Sequence, residues 1–264
     1  MRKIFWAFLI FMVLLVASFL ILFKLKFREP VLSEKPIFGG IIPHDSSVEY
    51  MNIELLKKLA LQKPKLVFLF GPNHFEKGNN KITVFEGDWQ TSIYGKVKTD
   101  KDFVDSLVEK GLAGVNNDIF SNEHSIGNNM DYFYLYLPET KVVPIIFKKN
   151  CSLGELRALS EYIATKTNKD AIVLTSVDFS HYLSYPEAKE MDEITIAEMK
   201  KFNYDGILGF DSKNLDSPAS IVTLLMLAQK ESRTNMEILH YINSAQLKRS
   251  EAAPTTSYFS IIFY

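Results

Sequence analysis

From residue 36 onward, short runs of consecutive apolar residues are separated by stretches in which apolar residues recur every three or four positions. The first pattern predicts strands buried on both faces, and the second predicts amphipathic helices. Strands are expected at 37–42, 66–70, 82–85, 142–147, 171–176, 236–242 and 257–264. Helices are expected at 53–61, 101–110, 125–137, 153–166 and 187–201, and Ser217-Pro218 reads as the N-cap and first turn of another that runs to Gln229. The alternation predicts an α/β fold with a central, mostly parallel sheet and helices on both faces. In such a sheet polar chemistry gathers at the carboxyl ends of the strands.

The beginning of the chain follows a different pattern. Residues 4–23 carry a single polar side chain, Ser18. A helix of that length spans the roughly 30 Å hydrocarbon core of a bilayer. Bulky residues stand where a signal peptidase needs small ones, so the span reads as uncleaved. The expected organisation is a transmembrane anchor in 1–29, a linker at 30–35 and one domain over 36–264. With only three residues ahead of the span, the expected location is the membrane, with the domain on the extracytoplasmic side.

Composition narrows the function. Apolar residues make up 47% of the 264-residue chain and charged residues 23%, as in a folded domain. The net charge is −1; without the five basic and one acidic residue of 1–29, 25 basic and 30 acidic residues remain. That sign suits a phosphate backbone poorly, so nucleic acid is not an expected partner. One cysteine, Cys151, excludes an internal disulfide and a CxxC zinc site. It precedes an expected helix start, a setting that can lower a thiol pKa. The glycine-rich nucleotide motifs and the GxSxG elbow of serine hydrolases are absent.

Histidine placement is the informative signal. His44, His74 and His181 each follow an expected strand by a few residues, where an α/β active site would lie. His124 directly precedes the aromatic-rich helix, while His240 falls inside an apolar strand and reads as structural. Neutral imidazole is the commonest metal ligand and the usual acid–base group near neutral pH. Asp178, three residues before His181, is either an orienting carboxylate or a helix cap. Glu123-His124 is either part of a site or a first-turn charge pair.

The segments Ile42-Pro43-His44, Gly71-Pro72-Asn73-His74, Glu123-His124-Ser125-Ile126, Val142 to Ile145, Ser176 to His181, and Asn243-Ser244 with Ser257-Tyr258 together resemble the Memo family, also called AmmeMemoRadiSam system protein B. Their order spans nearly all of 36–264, the expected Memo-like domain. The resemblance implies a fold similar to class III extradiol dioxygenases, with iron or copper as cofactor. It also implies metal ligation by His44 and His74, and a pocket lined by Asp178 and His181, the latter as acid–base. Glu123 and His124 join Asp178 and His181 as expected catalytic residues. The implied partners are a radical-SAM protein, an AMMECR1-like protein and an unidentified small-molecule substrate.

Three positions depart from the family pattern. Leu247 stands where eukaryotic members place a third ligand, a cysteine. Gly127 replaces an acid, and Asp216-Ser217-Pro218-Ala219 replaces a glycine-rich stretch. A third donor would then come from Asp45, Asp178, His124 or His181. Two histidines and a carboxylate suit non-haem iron; three histidines suit zinc or copper. Three functions follow: a metal-dependent oxidoreductase of the dioxygenase type, a non-catalytic metal- or ligand-binding module that has lost a ligand at Leu247, or, behind these, metal-assisted hydrolysis at the same cluster.

Overall fold

The computed structural model describes residues 35–93, 95–167, 170–250 and 254–264. In chain order the elements begin with β1 (Gly39–Ile42), a 3-10 turn (Ser46–Val48), α1 (Glu49–Ala60), β2 (Leu66–Pro72) and β3 (Ile82–Val84). There follow β4 (Trp89–Gln90), β5 (Lys96–Val97), α2 (Lys101–Glu109), β6 (Gly114–Val115), α3 (Asn117–Phe120), α4 (His124–Tyr136) and β7 (Lys141–Phe147). The second half comprises α5 (Leu153–Ala164), β8 (Ala171–Ser176), β9 (His181–Leu183), α6 (Tyr185–Lys200), α7 (Tyr204–Leu208), α8 (Pro218–Lys230), β10 (Met236–Asn243), α9 (Ser244–Lys248) and β11 (Thr255–Phe263).

The main sheet runs β10-β11-β1-β8-β2-β7-β3-β6, with β9 paired to β11, and β4 and β5 form a separate hairpin. Its central strands are apolar at consecutive positions because each side chain in turn meets a different helix layer. Phe68, Phe70, Val143, Ile145 and Val173 pack with Leu156 and Leu159 of α5 and Leu224 of α8. Their neighbours Val67, Leu69, Ile146, Ile172 and Leu174 pack with Leu55 and Leu59 of α1 and Met130 and Phe133 of α4. Each fully buried side chain of this size contributes about 1.5–3 kcal/mol, so the two apolar layers hold the sheet between the helices. Ile37–Tyr264 form one compact unit.

Two expectations are corrected. The sheet is mixed, not mostly parallel. β1/β8, β2/β8, β2/β7 and β3/β6 are parallel, but β1/β11, β10/β11, β3/β7 and β9/β11 are antiparallel. The link from β10 to β11 is 11 residues long, from 244 to 254, too little chain for a crossover, so the pair is antiparallel. The second correction concerns the membrane. No helix among the described residues is long and apolar enough to cross a bilayer, and the span assigned to residues 4–23 lies outside the described residues. The membrane location and extracytoplasmic side drawn from it are withdrawn.

The topology that matters for chemistry is the trio β1-β8-β2, three adjacent parallel strands. The register Ile42↔Ser176 and Phe70↔Thr175 brings their carboxyl ends level. His44, Asp178 and His74 each stand two residues beyond the last residue of their strand, at Ile42, Ser176 and Pro72.

Candidate metal centre

Each histidine of the trio is fixed by backbone and carboxylate contacts. Pro43 carries the chain out of β1, and the His44 backbone N–H donates to Asp178 Oδ1 at 3.0 Å. The Asn128 amide donates to the His44 carbonyl at 2.8 Å. The buried His44 ring turns Nε2 toward two carboxylates, with Asp178 Oδ2 at 3.4 Å and Asp216 Oδ2 at 3.2 Å. Ser176 Oγ lies 3.4 Å from its Nδ1.

His74 is held by Glu123, the N-cap of α4. Glu123 receives the His74 backbone N–H at 2.9 Å and pairs with His74 Nδ1 at 2.6 Å. The same carboxylate receives the Ser125 N–H at 3.1 Å and the Ser125 hydroxyl at 2.8 Å. The start of α4 sits this close to β2 because Gly71 has no side chain; a Cβ there would stand 2.7 Å from Ser125 Oγ. With Nδ1 occupied, His74 presents Nε2 toward Asp216 Oδ2, 3.7 Å away. The rings of His44 and His74 lie 5.1 Å apart, with planes at 88°.

Among the described residues, two sets bring donor atoms within 4.8 Å of one another: His44 with His74 and His124, and His44 with Asp178 and Asp216. His124 is half-exposed and stacks on His74 at 4.1 Å with planes inclined by 20°. His181, at the start of β9, shares a cavity of about 260 Å³ with His74 and Asp216. Its Nδ1 is buried and has no hydrogen-bond partner among the described residues. A larger cavity of about 740 Å³ opens beside His44, walled by Phe85, Trp89 and Tyr132. The centre is thus approached from two sides.

The electrostatics follow from burial against pairing. Burial alone would push His44 down, but Asp178 and Asp216 outweigh it and raise the imidazole to about 9. Burial opposes His74 too, and Asp216 and Glu123 raise it to about 9. Glu123, despite burial, is held below the carboxylate range by its bonds from His74 and Ser125. Burial and the neighbouring Asp216 push Asp178 up against the pull of His44. Asp216 goes down because His44 and His74 outweigh its burial. Burial lowers His181 and, reinforced by the neighbouring imidazoles His74 and His44, lowers His124.

The structure brings His44, His74, Glu123, His124 and Asp178 into one cluster and places His181 on a cavity that adjoins it. It does not bring Asp45 there as a donor. Asp45 caps the 3-10 turn through Ser47 N–H at 2.8 Å, and its other oxygen receives the Tyr258 hydroxyl at 2.8 Å. Leu247 has no donor atom and is 39% exposed on α9. Cys151 is not activated, because burial and then Glu155 push its thiol up to about 12. His240 pairs with Glu54 at 2.8 Å, away from the cluster. The residue that sequence reasoning missed is Asp216. Its only signal was a carboxylate directly ahead of a Ser-Pro helix start.

Fold and site together define a class: an α/β-sheet protein with a buried imidazole–carboxylate centre at the ends of adjacent parallel strands. The chain belongs to the Memo-like protein family, matched over residues 27–262. It is 27% identical over 248 residues to a MEMO1 family protein of Pyrobaculum arsenaticum, covering 90% of this chain and 86% of the relative. It is 28% identical to one of Pyrobaculum aerophilum, covering 86% and 83%. Among solved structures, an uncharacterized Escherichia coli K12 protein shares the fold with a TM-score of 0.55 at 13% identity, covering 86% of this chain and 99% of that one.

Proposed function

We propose that the cluster holds one divalent metal ion through His44 and His74, and that the protein is a metal-dependent oxidoreductase of the dioxygenase type acting on a small molecule. The observation that carries this reading is a charge imbalance. Two buried carboxylates, Glu123 and Asp178, and a third, Asp216, whose side chain is only 10% exposed, surround two imidazoles. With neutral rings the group is three charges negative, which a low-dielectric interior does not tolerate. Two protons or one divalent cation relieve it.

The donor chemistry fits a cation. Glu123 on His74 Nδ1 fixes the tautomer that leaves Nε2 free, as a second carboxylate does behind many metal-bound histidines. Perpendicular rings let the in-plane lone pairs of His44 and His74 meet at one point. An ion there would act as a Lewis acid and, if redox-active, exchange electrons with substrate or oxygen at open positions. His181, kept neutral by burial, takes up a proton from a substrate in the cavity it shares with His74. His124, half-exposed, exchanges protons with solvent. Asp178 orients His44 through its backbone N–H.

The full chain should carry about one iron or copper ion, and His44→Ala and His74→Ala should each lose it. Equal metal content in wild type and both variants would end this reading. The alternative, a binding module without turnover, draws on Leu247. It expects a sharp rise in metal affinity on Leu247→Cys and no oxygen consumption by the loaded protein with any tested phenolic substrate.

A further inference from the structure

We propose that Asp216 is the third protein ligand of the metal centre, supplying from the segment ahead of α8 the donor that position 247 lacks. The inference rests on the metal-holding role proposed for His44 and His74. It adds to that role the donor set and the class of ion that the set prefers.

Asp216 is the one carboxylate among the described residues within 4.0 Å of both imidazoles through their Nε2 atoms. Its Oδ2 stands 3.2 Å from His44 Nε2 and 3.7 Å from His74 Nε2. Donors about 2.1 Å from a shared ion, at angles of about 90–110°, stand roughly 3.0–3.4 Å apart. The observed spacing is therefore within a few tenths of an ångström of a coordination sphere. The other oxygen, Oδ1, is buried without a hydrogen-bond partner among the described residues. A buried carboxylate oxygen left unmatched costs free energy unless a cation neutralises the group.

The competitors are otherwise engaged. Asp178 reaches His44 but not His74, and its Oδ1 receives the His44 N–H. Glu123 lies on the Nδ1 side of His74, behind the ring, and already accepts from His74 and Ser125. The donor atom of His124 lies within 4.8 Å of those of His44 and His74, but the ring is half-exposed and stacked on His74 at 4.1 Å, where water satisfies it. Leu247 is aliphatic.

The local fold holds Asp216 in place. Its backbone N–H donates to the Asp178 carbonyl at 3.1 Å, next to an antiparallel bridge between Phe179 and Leu215. Pro218 then fixes the first turn of α8. Two imidazoles and one carboxylate, with no thiolate, form a nitrogen–oxygen set that suits Fe(II), Co(II) or Zn(II) over Cu(I).

Cobalt(II) alone is the probe, titrated into the metal-free full chain and followed by its visible spectrum and by chelator competition. Asp216→Asn, nearly isosteric, should weaken cobalt binding at least about tenfold. Asp178→Asn should weaken it less. Asp216→Cys should add a thiolate-to-cobalt charge-transfer band in the near ultraviolet, absent from wild type, where Cys151 is buried elsewhere, and absent from Leu247→Cys. Circular dichroism confirms that each variant folds. Wild-type affinity in Asp216→Asn, with binding still lost in His44→Ala, overturns the assignment and leaves the metal centre standing. A band in Leu247→Cys but not in Asp216→Cys overturns it as well. Retention of cobalt by His44→Ala and His74→Ala sinks the metal centre itself.

Discussion

Two histidine–glutamate pairs in this molecule have nearly the same geometry and different surroundings. His74 meets Glu123 at 2.6 Å, with the Glu123 side chain fully buried. His240 meets Glu54 at 2.8 Å, with side chains 30% and 46% exposed. At the surface, water screens both charges and supplies hydrogen bonds when the pair opens. In the interior nothing replaces a lost partner, so the pair is either complete or costly. The difference teaches that distance alone does not mark a functional pair. What marks one is a buried carboxylate committed to one ring nitrogen while the other nitrogen faces a second carboxylate.

The most severe way to break the comparison is to remove Glu123. Glu123→Ala strands the His74 backbone N–H and ring Nδ1 and the Ser125 N–H, and it removes the N-cap of α4. Loss of one partner from a buried pair costs about 3–5 kcal/mol. Metal affinity should fall by about 10- to 100-fold as His74 loses its orientation. Urea unfolding and cobalt titration read the two effects. Wild-type values in both would mean that Glu123 does not hold the ring.

A milder perturbation is pH, applied to protein stripped of metal by a chelator. His44 and His74 are raised to about 9 in the fold, against about 6.5 in the unfolded chain. A raised histidine contributes stability that is complete below about pH 6.5 and is lost as pH climbs through about 9. Asp178, pushed up to about 6, is ionised across most of that window and does not reverse the slope. The urea midpoint of metal-free protein should therefore decline from pH 6.5 to 9. The stabilisation gained on adding cobalt(II) should grow over the same range, because ligation requires unprotonated rings. A flat midpoint would show that the carboxylates do not hold protons on these imidazoles.

How far the centre was legible follows from its geometry. His44, His74 and Asp178 were readable because each closes an apolar run that ends abruptly, and level parallel strands turn equal offsets into proximity. Asp216 was not readable, since it arrives from an irregular segment that joins the site through an antiparallel bridge and a few bonds, among them the Asp178 N–H to Asp216 Oδ2 at 3.3 Å. Strand direction was equally hidden. β11 is buried at nearly every position, and a strand buried on both faces shows the same apolar run whichever way it points. Strands of two or three residues, such as β4, β5, β6 and β9, hold too few positions to display any period. The longer helices fell within a few residues of expectation because their period repeats over several turns.

The smallest expected effect belongs to the surface pair and tests the other half of the comparison. Glu54 also stands four residues before Lys58, at 3.6 Å on the same face of α1. Glu54→Ala therefore removes an exposed ion pair with Lys58 and an exposed hydrogen bond with His240, each worth about 0.5 kcal/mol in water. The pairing lowers the Glu54 carboxyl, chiefly through the hydrogen bond from His240, so the small contribution should vanish as pH falls through the carboxylate range and shrink in high salt. Cobalt affinity should not change, because neither His240 nor Glu54 touches the cluster. A loss above about 1.5 kcal/mol in Glu54→Ala would mean that exposure does not set the worth of these pairs. Burial would then no longer explain why one imidazole–carboxylate contact builds a centre and the other only decorates a strand edge.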